Sequence, residues 1–434
     1  MDSPAPATRV AVIGAGCSGL AAVKNLRDTE AFRAGRLEVV CYERSDQIGG
    51  NWVFTAGAGA HSSVCETTHI ISSKSLSQYL DFPMPADYPD YPSHRQVLAY
   101  FQSYADHFRL RDSIRFDTAV EHAAKIAGER WRLRLSTGAV EAFDYLLVAN
   151  GHHSVPRMPD GLAGFGGSLI HSHDYKSAEP FRGQRVLVIG AGNSGCDCAV
   201  ETSRVSARTD ISIRTPQYIV PKFLMGKPTD VFAARTARWP RWLKKPLLRA
   251  TLRAAIGDMR AYGLEVPRHH PIEAHPTLNS ELLYMLRHGR VHARRGIAGV
   301  EGRTVTFADG AAAEYDAVIA ATGYRMATPF FDADFLDFAD ADEVRLWLRM
   351  WHPDHPTLAL IGLTQPQGCI WPLSDAQGRL AASVITGRRR LPDDLARRAD
   401  RETARIRRHF TRSTRHAVEV DYHRYLDEVL GEVV

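Results

Sequence analysis

The chain has 434 residues, 44% hydrophobic and 24% charged, which is the composition of a globular protein with room for about two domains. Its net charge is only +5, and no basic stripe carries interleaved aromatic residues, which argues against a nucleic-acid partner. Six cysteines without a CxxC pair, and no apolar run near the roughly 18 residues of a membrane span, predict a cytoplasmic protein with no disulfide framework and no membrane partner.

The first predicted element is a strand over residues 9–13, which runs into the glycine turn GAGCSG and then a helical pattern. Gly14, Gly16 and Gly19 allow a tight turn, close approach of the backbone to a pyrophosphate, and close packing of helix on strand. A second strand ends at Glu43, where an acidic side chain binds ribose hydroxyls in dinucleotide-binding proteins. Strand, turn, helix and acid together predict a dinucleotide-binding unit.

The next region combines irregular and regular segments. Residues 51–92 are rich in Gly, Ser and Pro and predict a long loop with a functional or covering role. A helix is predicted over residues 93–108 with Ser93 as its N-cap. Short antiparallel strands are predicted over residues 115–143, followed by an apolar strand over 145–151 that ends on a glycine.

A second glycine turn, GAGNSG, also follows an apolar strand and opens a helix. Its glycines are Gly190, Gly192 and Gly195. The following strand ends in Arg214–Thr215, and an arginine there suits a 2′-phosphate, whereas Glu43 suits bare ribose hydroxyls. We therefore expect FAD on the first turn and NADP on the second. An exposed arginine at a strand end is the alternative interpretation.

The remaining chain completes two domains. A strand over residues 315–324 ends in Thr-Gly, and a strand over 357–363 precedes a loop with Trp371 and a helix that begins at Ser374. Residues 268–275 hold three histidines, but their spacing fits neither HExxH nor a zinc finger, so no metal site is predicted. The predicted fold class is α/β, with two Rossmann-like dinucleotide-binding domains and the NADP domain inserted into the FAD domain. The predicted ranges are 1–155 and 316–434 for the FAD domain and 156–315 for the NADP domain.

Several motifs resemble those of the flavin-containing monooxygenases, the class B flavoprotein monooxygenases. Phe165-x-Gly167-x3-His171-x3-Tyr175 matches that family's identifying pattern and stands just ahead of GAGNSG. The segments GGNW, ATGY, DFPMPADYPDYPSH and VDYHRYLDEV are also similar to family features. The related Baeyer–Villiger enzymes usually end the pattern with Trp and then Pro or Asp, whereas this chain has Tyr175–Lys176.

The resemblance implies an oxidoreductase that uses FAD, NADPH and O2 and forms a C4a-(hydro)peroxyflavin. That species would oxygenate a nucleophilic nitrogen or sulfur atom of a small organic substrate, as in N,N-dimethylaniline monooxygenase activity. Baeyer–Villiger oxygenation of a ketone, a non-oxygenating NADPH-dependent flavin reductase, and a nucleotide-sensing flavoprotein without turnover remain alternatives. A homodimer is a further expectation from the family.

The resemblance also implies roles for individual residues. FAD would be held by the residues Gly14, Gly16, Gly19, Glu43, Gly50 and Trp52, with Gln377 close to the isoalloxazine. NADP would be held by Gly190, Gly192, Asn193, Ser194, Gly195, Arg214 and Thr215, with Thr322 and Gly323 of the ATGY segment nearby. His171 and Tyr175 would shape the hinge and the NADP site, or else pack at a domain junction.

One position departs from the family pattern. Family members carry an asparagine ahead of a Ser-Ser-Lys-like segment, where its amide contacts the flavin–NADP oxygen site. This chain has Ile71 there, followed by Ser72 and Ser73. Isoleucine cannot donate a hydrogen bond, so the prediction is that Ser72 or Ser73 takes over or that the oxygenating species is less protected.

Overall fold

A computed structural model describes residues 6–57, 61–271, 273, 276–410 and 417–433. The helices are α1 (Cys17–Arg27), α2 (Glu30–Arg33), α3 (His94–His107), α4 (Asn193–Thr202), α5 (Thr229–Ala234), α6 (Arg241–Ile256), α7 (Leu282–Arg287), α8 (Ile370–Ile385), α9 (Leu395–His409) and α10 (Tyr422–Leu430). The strands are β1 (Thr8–Ile13), β2 (Leu37–Tyr42), β3 (Ile114–Arg115), β4 (Val120–Ile126), β5 (Arg130–Leu135), β6 (Val140–Phe143), β7 (Tyr145–Val148), β8 (Val155–Pro156), β9 (Ser168–His171), β10 (Arg185–Ile189), β11 (Arg208–Ser212), β12 (Ile219–Val220), β13 (Phe223–Leu224), β14 (Lys227–Pro228), β15 (Thr277–Leu278), β16 (Val291–Arg294), β17 (Ile297–Glu301), β18 (Thr304–Phe307), β19 (Ala312–Glu314), β20 (Ala317–Ala320), β21 (Tyr324–Arg325), β22 (Leu358–Leu360), β23 (Gln365–Pro366) and β24 (Glu419–Val420).

The first unit comprises the described parts of residues 1–53, 72–152 and 325–434. Its main sheet has the order β22-β7-β1-β2-β3, and every neighbouring pair is parallel. The strands β1, β2 and β7 are apolar and almost wholly buried, as expected for parallel strands covered on both faces. Helix α1 packs against α8, where Ser18 Oγ lies 2.9 Å from Ser374 Oγ.

A smaller antiparallel sheet, β4-β5-β6, belongs to the same unit. Along β5 the residues Trp131, Leu133 and Leu135 are buried, and the arginines between them are exposed. This alternation is the two-residue period of a strand with one face in the core. The predicted antiparallel strands and the predicted helix are confirmed, and α3 begins after Ser93 with a capping box formed by Ser93 and Gln96.

The second unit comprises the described parts of residues 54–71 and 153–324. Its main sheet has the order β16-β11-β10-β20-β9, again with only parallel pairs. A three-stranded antiparallel sheet, β17-β18-β19, completes this unit's strand structure beside short two-stranded pairs. Two parallel sheets, each with a strand leading into a glycine turn and a helix, confirm the predicted α/β fold class.

Two predicted boundaries differ from the structure. The sequence predicts that residues 316–434 belong to the FAD domain. The strand β20 lies in that range, but it pairs with β10 and β9 in the second sheet. Residues 54–71 also group with the second unit, although they precede it by many residues in the chain. A third difference is that α8 begins at Ile370 rather than Ser374, because Pro372 lies in its first turn, where its missing N–H costs nothing.

Candidate active site

The first glycine turn joins β1 to α1 in a shape that requires glycine. Gly14 has a φ of +98°, and a Cβ there would lie 2.7 Å from the Ala149 carbonyl oxygen. A Cβ at Gly19 would lie 1.8 Å from the Gly14 carbonyl oxygen. The Gly14 N–H donates to the Tyr42 carbonyl at 2.8 Å, which fixes the turn against β2. The turn is therefore held close to two neighbouring strands at their carboxyl ends.

The start of α1 can receive an anion. Its N-cap is Gly16, so no side chain caps the first N–H groups of the helix. Glu43 is 6% exposed, and its Oε2 accepts the Ala15 N–H at 2.7 Å. Its Oε1 accepts both the backbone N–H and the hydroxyl of Ser45. The carboxylate thus lies at the turn itself and orders its backbone.

The Gly49–Gly50 pair covers the same turn. The Gly49 N–H donates to the Ala15 carbonyl at 3.1 Å. A Cβ at Gly50 would lie 3.1 Å from the Gly16 Cα, so the two backbones approach as closely as glycine allows. Trp52 follows and makes an edge contact with Trp371, their ring centroids 5.7 Å apart. The structure therefore brings the predicted Gly50 and Trp52 to the first turn.

Gln377 is fully buried, and both ends of its amide have protein partners. Its Oε1 accepts the Gly362 N–H at 2.8 Å, and its Nε2 donates to the Tyr425 hydroxyl at 2.6 Å. Gly362 itself adjoins α1, because a Cβ there would meet the Ser18 hydroxyl. Gln377 thus links the segment after β22 to α10, and its contact with a flavin stays a prediction.

Ser72 and Ser73 belong to the first unit and are 6% and 1% exposed. The Ser72 hydroxyl lies 2.7 Å from that of Ser77, and the Ser73 hydroxyl lies 3.1 Å from that of Ser75. Each hydroxyl can donate one hydrogen bond and accept others. Ile71, directly before them, is half-buried.

The second glycine turn repeats the geometry of the first. Gly190 has a φ of +102°, and a Cβ there would lie 2.5 Å from the Ala321 carbonyl oxygen. A Cβ at Gly195 would lie 2.0 Å from the Gly190 carbonyl oxygen. Gly192 is the N-cap of α4 and leaves the first turn of that helix without a side-chain cap. The predicted glycines therefore form a second cradle for an anion.

Other predicted residues surround this second cradle. The Asn193 Oδ1 accepts the Leu278 N–H at 2.9 Å, whereas Ser194 is exposed at the start of α4. Arg214 and Thr215 are both exposed just beyond the carboxyl end of β11. A cavity of about 170 Å³ lies at this edge of the sheet. Its lining includes Ala191, Ile213, Gln217, Arg294 and Arg295.

His171 ends β9 and lies beside the segment that follows β20. It is 3% exposed, and its Nδ1 accepts the His173 N–H at 3.0 Å. Burial lowers the pKa of His171 to about 4, although a hydrogen bond with the Gly323 backbone raises this pKa and offsets part of the effect. Tyr324 contacts the His171 ring with centroids 5.2 Å apart, and burial raises the Tyr324 pKa to about 12. The neutral imidazole therefore packs against the ATGY segment.

Thr322 and Tyr175 connect other parts of the second unit. The Thr322 hydroxyl donates to the Arg157 carbonyl. Tyr175 is 2% exposed and donates to the Glu201 Oε2 at 3.0 Å. The other Glu201 oxygen accepts the hydroxyl of Thr67, so one carboxylate joins Tyr175 to the segment 54–71. Burial and the Glu201 charge raise the Tyr175 pKa far above its usual value, which keeps the phenol protonated.

Lys176 directly follows Tyr175, and the sequence indicates no role for it. Its Nζ donates to the Ser62 carbonyl at 2.6 Å and to the His173 carbonyl at 3.2 Å, with Val64 at 3.4 Å. Its own carbonyl accepts the Glu66 N–H at 2.9 Å. All of these partners are backbone groups, which no side-chain pattern could have indicated.

The described residues were predicted to hold no metal site and no membrane span. Within them, no group of three or more His, Cys, Asp or Glu side chains is arranged to hold a metal ion. His275 of the histidine-rich segment lies outside the described residues. Among the helices of the described part of the chain, none has both the length and the apolar character needed to cross a bilayer.

Comparisons with known proteins decide the family. Residues 7–434 match the family described as "Flavin-binding monooxygenase-like". Flavin-containing monooxygenase 5 of Homo sapiens is 34% identical, covering 97% of this chain and 82% of the relative. "Dimethylaniline monooxygenase [N-oxide-forming] 2" of Rattus norvegicus is 32% identical, covering 98% and 82%. The chain belongs to the flavin-containing monooxygenases.

Solved structures agree on the fold of this flavin-containing monooxygenase. S-allyl-L-cysteine S-oxygenase from Allium sativum has a TM-score of 0.70 at 21% identity, covering 98% of this chain and 88% of that one. Cyclohexanone monooxygenase from Rhodococcus sp. Phi1, bound to NADP+, has a TM-score of 0.71 at 18% identity, with 98% and 97% covered. At these identities the likeness establishes the shared fold.

Membership in the family establishes an NADPH- and O2-dependent flavin monooxygenase with FAD as its cofactor. The two glycine cradles fit two dinucleotides. In each, a side chain at the first glycine would collide with a backbone carbonyl, and in each the helix that follows begins without a side-chain cap. When bound, FAD supplies the hydride acceptor and the centre at which O2 is activated.

Proposed function

We propose that this flavin-containing monooxygenase oxygenates a nucleophilic nitrogen or sulfur atom of a small organic substrate. The observation that carries the proposal is the identifying pattern, whose Tyr175 is buried and hydrogen-bonded to Glu201. The pattern's ending in Tyr175–Lys176 departs from that of the Baeyer–Villiger enzymes. An N-oxide-forming relative at 32% identity supports the same substrate class.

The proposed FAD site is the first turn. The uncapped N–H groups at the start of α1 would bind the pyrophosphate, and Glu43 would accept hydrogen bonds from ribose hydroxyls. Glu43 already accepts three donors, which hold its carboxylate in place. Gly50 would let the backbone pass close to the cofactor, and Trp52 would offer an apolar face that excludes water.

The proposed NADPH site is the second turn. Gly190, Gly192 and Gly195, with Asn193 and Ser194, would place the first turn of α4 against the pyrophosphate. Arg214 would bind the 2′-phosphate through charge-assisted hydrogen bonds, and Thr215 would add a hydroxyl. His171 would act as a positioning residue, because its neutral ring packs on the segment of Thr322 and Gly323. A cytoplasmic location and a homodimer stay predictions.

Product analysis tests the proposed substrate class. The purified holoenzyme would be mixed with NADPH, O2 and one of three substrates: an aryl methyl thioether, N,N-dimethylaniline or cyclohexanone. We expect a sulfoxide or an N-oxide that carries one atom from labelled O2, and no lactone. A lactone as the only product would contradict the proposed substrate class and would indicate Baeyer–Villiger oxygenation of ketones. NADPH consumption that yields only hydrogen peroxide with every substrate would overturn oxygenation of these substrates.

A further inference from the structure

A cavity of about 370 Å³ opens beside α9 in the first unit. Its volume is that of a pocket for a small ligand. Its lining comes from α9, from α10 and from the segment between β21 and β22, and it includes Trp347, Leu348, Arg398, Glu402 and Glu428. None of the residues predicted to hold FAD or NADP lines it. We call it the α9 cavity.

Helix α9 contributes four charged side chains to the α9 cavity. Arg398, Arg401, Glu402 and Arg405 stand at positions i, i+3, i+4 and i+7, so they share one face of the helix. With Glu428 from α10, the lining carries three guanidinium groups and two carboxylates, an excess of one positive charge. Charges of both signs therefore line one small space.

Two of the arginines retain donors for a further partner. Arg398 Nε lies 2.8 Å from Asp394 Oδ1, and Arg401 Nη2 lies 3.0 Å from Asp394 Oδ2. Arg398 Nη1 approaches Glu432 only to 3.9 Å, which is too long for a hydrogen bond. A guanidinium group has five N–H donors, so most of those on these two arginines have no partner among the described residues. A carboxylate is the anion whose geometry such paired donors match.

Glu402 is the buried acid of the lining. Its side chain is 8% exposed, and its Oε2 accepts the Leu348 N–H at 2.6 Å. Its Oε1 has no hydrogen-bond partner in the described part of the chain, because the ion pair with Arg349 Nε spans 3.9 Å. A buried carboxylate oxygen without a donor is unfavourable, so a ligand that supplies a donor would be stabilised there.

The wall formed by Leu348 has an unusual backbone. Leu348 and Arg349 have φ values of +48° and +52°, in the left-handed region that residues other than glycine rarely adopt. Hydrogen bonds hold this conformation, since the Leu348 N–H donates to Glu402 and its carbonyl accepts the Tyr425 hydroxyl. Strained backbone that its surroundings hold in place is frequent at ligand sites. The wall is therefore organised before a ligand binds.

We propose that the α9 cavity binds a small α-amino acid with an apolar side chain. The carboxylate of this ligand would bind Arg398 and Arg401, and its ammonium group would donate to Glu402 Oε1. Its side chain would pack on Trp347 and Leu348, which are nearly buried. One compact zwitterion thus supplies the anion, the donor and the apolar surface that the lining calls for.

Other classes of ligand match the lining less well. A dicarboxylate would bring its second anion against Glu402 and Glu428, and like charges repel. An amine without a carboxylate would add to the excess of positive charge and leave the donors of Arg398 and Arg401 unused. The inference goes beyond the proposed function and does not depend on the substrate class, because the α9 cavity shares no residue with the proposed cofactor sites.

Isothermal titration calorimetry with the full-length, FAD-loaded protein tests the proposal. The probes are L-leucine, isocaproate, which is leucine without its amino group, and isoamylamine, which is leucine without its carboxylate. We expect L-leucine to bind with a Kd of about 0.1–1 mM and each analogue to bind about tenfold more weakly. NADPH is omitted, so the heat reports binding without turnover.

Variants separate the two charged contacts. Arg398→Gln/Arg401→Gln should weaken L-leucine binding about tenfold and leave isoamylamine binding unchanged. Glu402→Gln keeps an acceptor for the Leu348 N–H, and it should weaken L-leucine binding about tenfold while isocaproate binding stays the same.

The matched control is Arg130→Gln/Arg134→Gln, which replaces two arginines of β5 in the same unit that are 43% and 59% exposed. Circular dichroism and retained flavin absorbance would establish that each variant is folded. The side chains of Arg398 and Arg401 are 40% and 61% exposed, so their double variant provides a test even where Glu402→Gln fails to fold.

Three results would overturn the proposal. The first is no binding of L-leucine at about 10 mM, tenfold above the weakest expected Kd. The second is equal affinity for L-leucine and isocaproate, which would indicate a site for simple anions. The third is L-leucine binding that neither the arginine double variant nor Glu402→Gln weakens, which would place the amino acid elsewhere on the protein.

Discussion

At the scale of single residues, the proposed nucleotide preference rests on one exposed cation. Arg214 stands beyond β11 in the second unit, where the first unit has the buried Glu43. An arginine can form paired, charge-assisted hydrogen bonds with a phosphate, which a bare ribose does not offer. We therefore expect selectivity for NADPH over NADH to depend on this side chain and not on the turn that both nucleotides would use.

Replacing Arg214 by glutamine tests that statement. We expect the KM for NADPH to rise about 30-fold, because charge-assisted hydrogen bonds contribute about 2 kcal/mol. The KM for NADH should hardly change. Steady-state reduction kinetics with both nucleotides provide the measurement, and Arg182→Gln, an exposed arginine paired with Glu179, is the control. An equal loss with both nucleotides would contradict the assignment.

His171 gives a second residue-scale prediction, on the pH dependence of stability. Its folded pKa of about 4 lies below the ordinary 6.5, so the folded state disfavours the charged ring. The neutral His171 ring therefore makes its full contribution to the free energy of unfolding above pH 6.5, and this contribution is lost as the pH falls toward 4. Near pH 5 the loss is about 1–2 kcal/mol.

The variant His171→Asn keeps an acceptor for the His173 N–H but cannot take up a proton. Urea unfolding at pH 7 and pH 5 should show a smaller loss of unfolding free energy on acidification for the variant than for the parent. Parallel losses in the two proteins would mean that another group controls acid stability.

At the scale of elements, the two glycine turns make separable predictions. Alanine at Gly14 or Gly190 would place Cβ 2.7 Å or 2.5 Å from a backbone carbonyl oxygen. Gly14→Ala should lose bound flavin. Gly190→Ala should keep flavin, measured by absorbance, but should be reduced poorly by NADPH while dithionite still reduces it.

Gly57→Ala is the control for backbone strain alone. Gly57 has a φ of +101°, close to those of Gly14 and Gly190, but no atom of the described residues lies within 4 Å of a Cβ built there. We expect this variant to lose about 1 kcal/mol of stability and to keep both cofactors. Loss of flavin in Gly57→Ala would show that conformational strain, and not the collision, is what matters.

Lys176 gives an element-scale prediction about the segment 54–71. Burial lowers the pKa of its ammonium group, yet that group remains bonded to carbonyls of Ser62 and His173. Lys176→Met should reduce the unfolding free energy by about 1–3 kcal/mol. It should also speed thermolysin cleavage within residues 61–71, mapped by mass spectrometry, whereas the exposed Lys227→Met should do neither.

The paired nucleotide units were predictable because strand, turn and helix follow one another within about 30 residues. The partners of a strand were not. The apolar runs YLLVANG and YDAVIAATGY read alike, yet β7 lies in the first sheet and β20 in the second. The contacts of Lys176 could not be predicted either, because its partners are backbone carbonyls, which every residue type carries.

At the scale of the whole molecule, the chain passes between its two units near residues 53, 71, 152 and 324. Ile71 stands at the second of these crossings, immediately before Ser72. The resemblance places an asparagine of the family at this position. We propose that the isoleucine at this position lowers the fraction of NADPH oxidation that is coupled to oxygenation.

Ile71→Asn tests that consequence. We expect the variant to release less hydrogen peroxide per NADPH consumed, because an amide would supply the hydrogen bond that isoleucine cannot. Peroxide and sulfoxide would be measured against NADPH, with Ile71→Leu as a matched control of similar volume. Unchanged coupling in Ile71→Asn would indicate that Ser72 or Ser73 already provides the hydrogen bond.

The Glu43 carboxylate has a consequence for how nucleotide preference can evolve. One of its oxygens receives the Ala15 N–H inside the turn, so the group suited to ribose also maintains the shape of the loop. A substitution there that favoured a phosphorylated ribose would remove a support of the turn at the same time. Arg214 is exposed and lies outside the second glycine turn, so replacing it would not remove a support of that turn. Redesign for a different nucleotide should therefore succeed by single changes in the second unit and require compensating changes in the first.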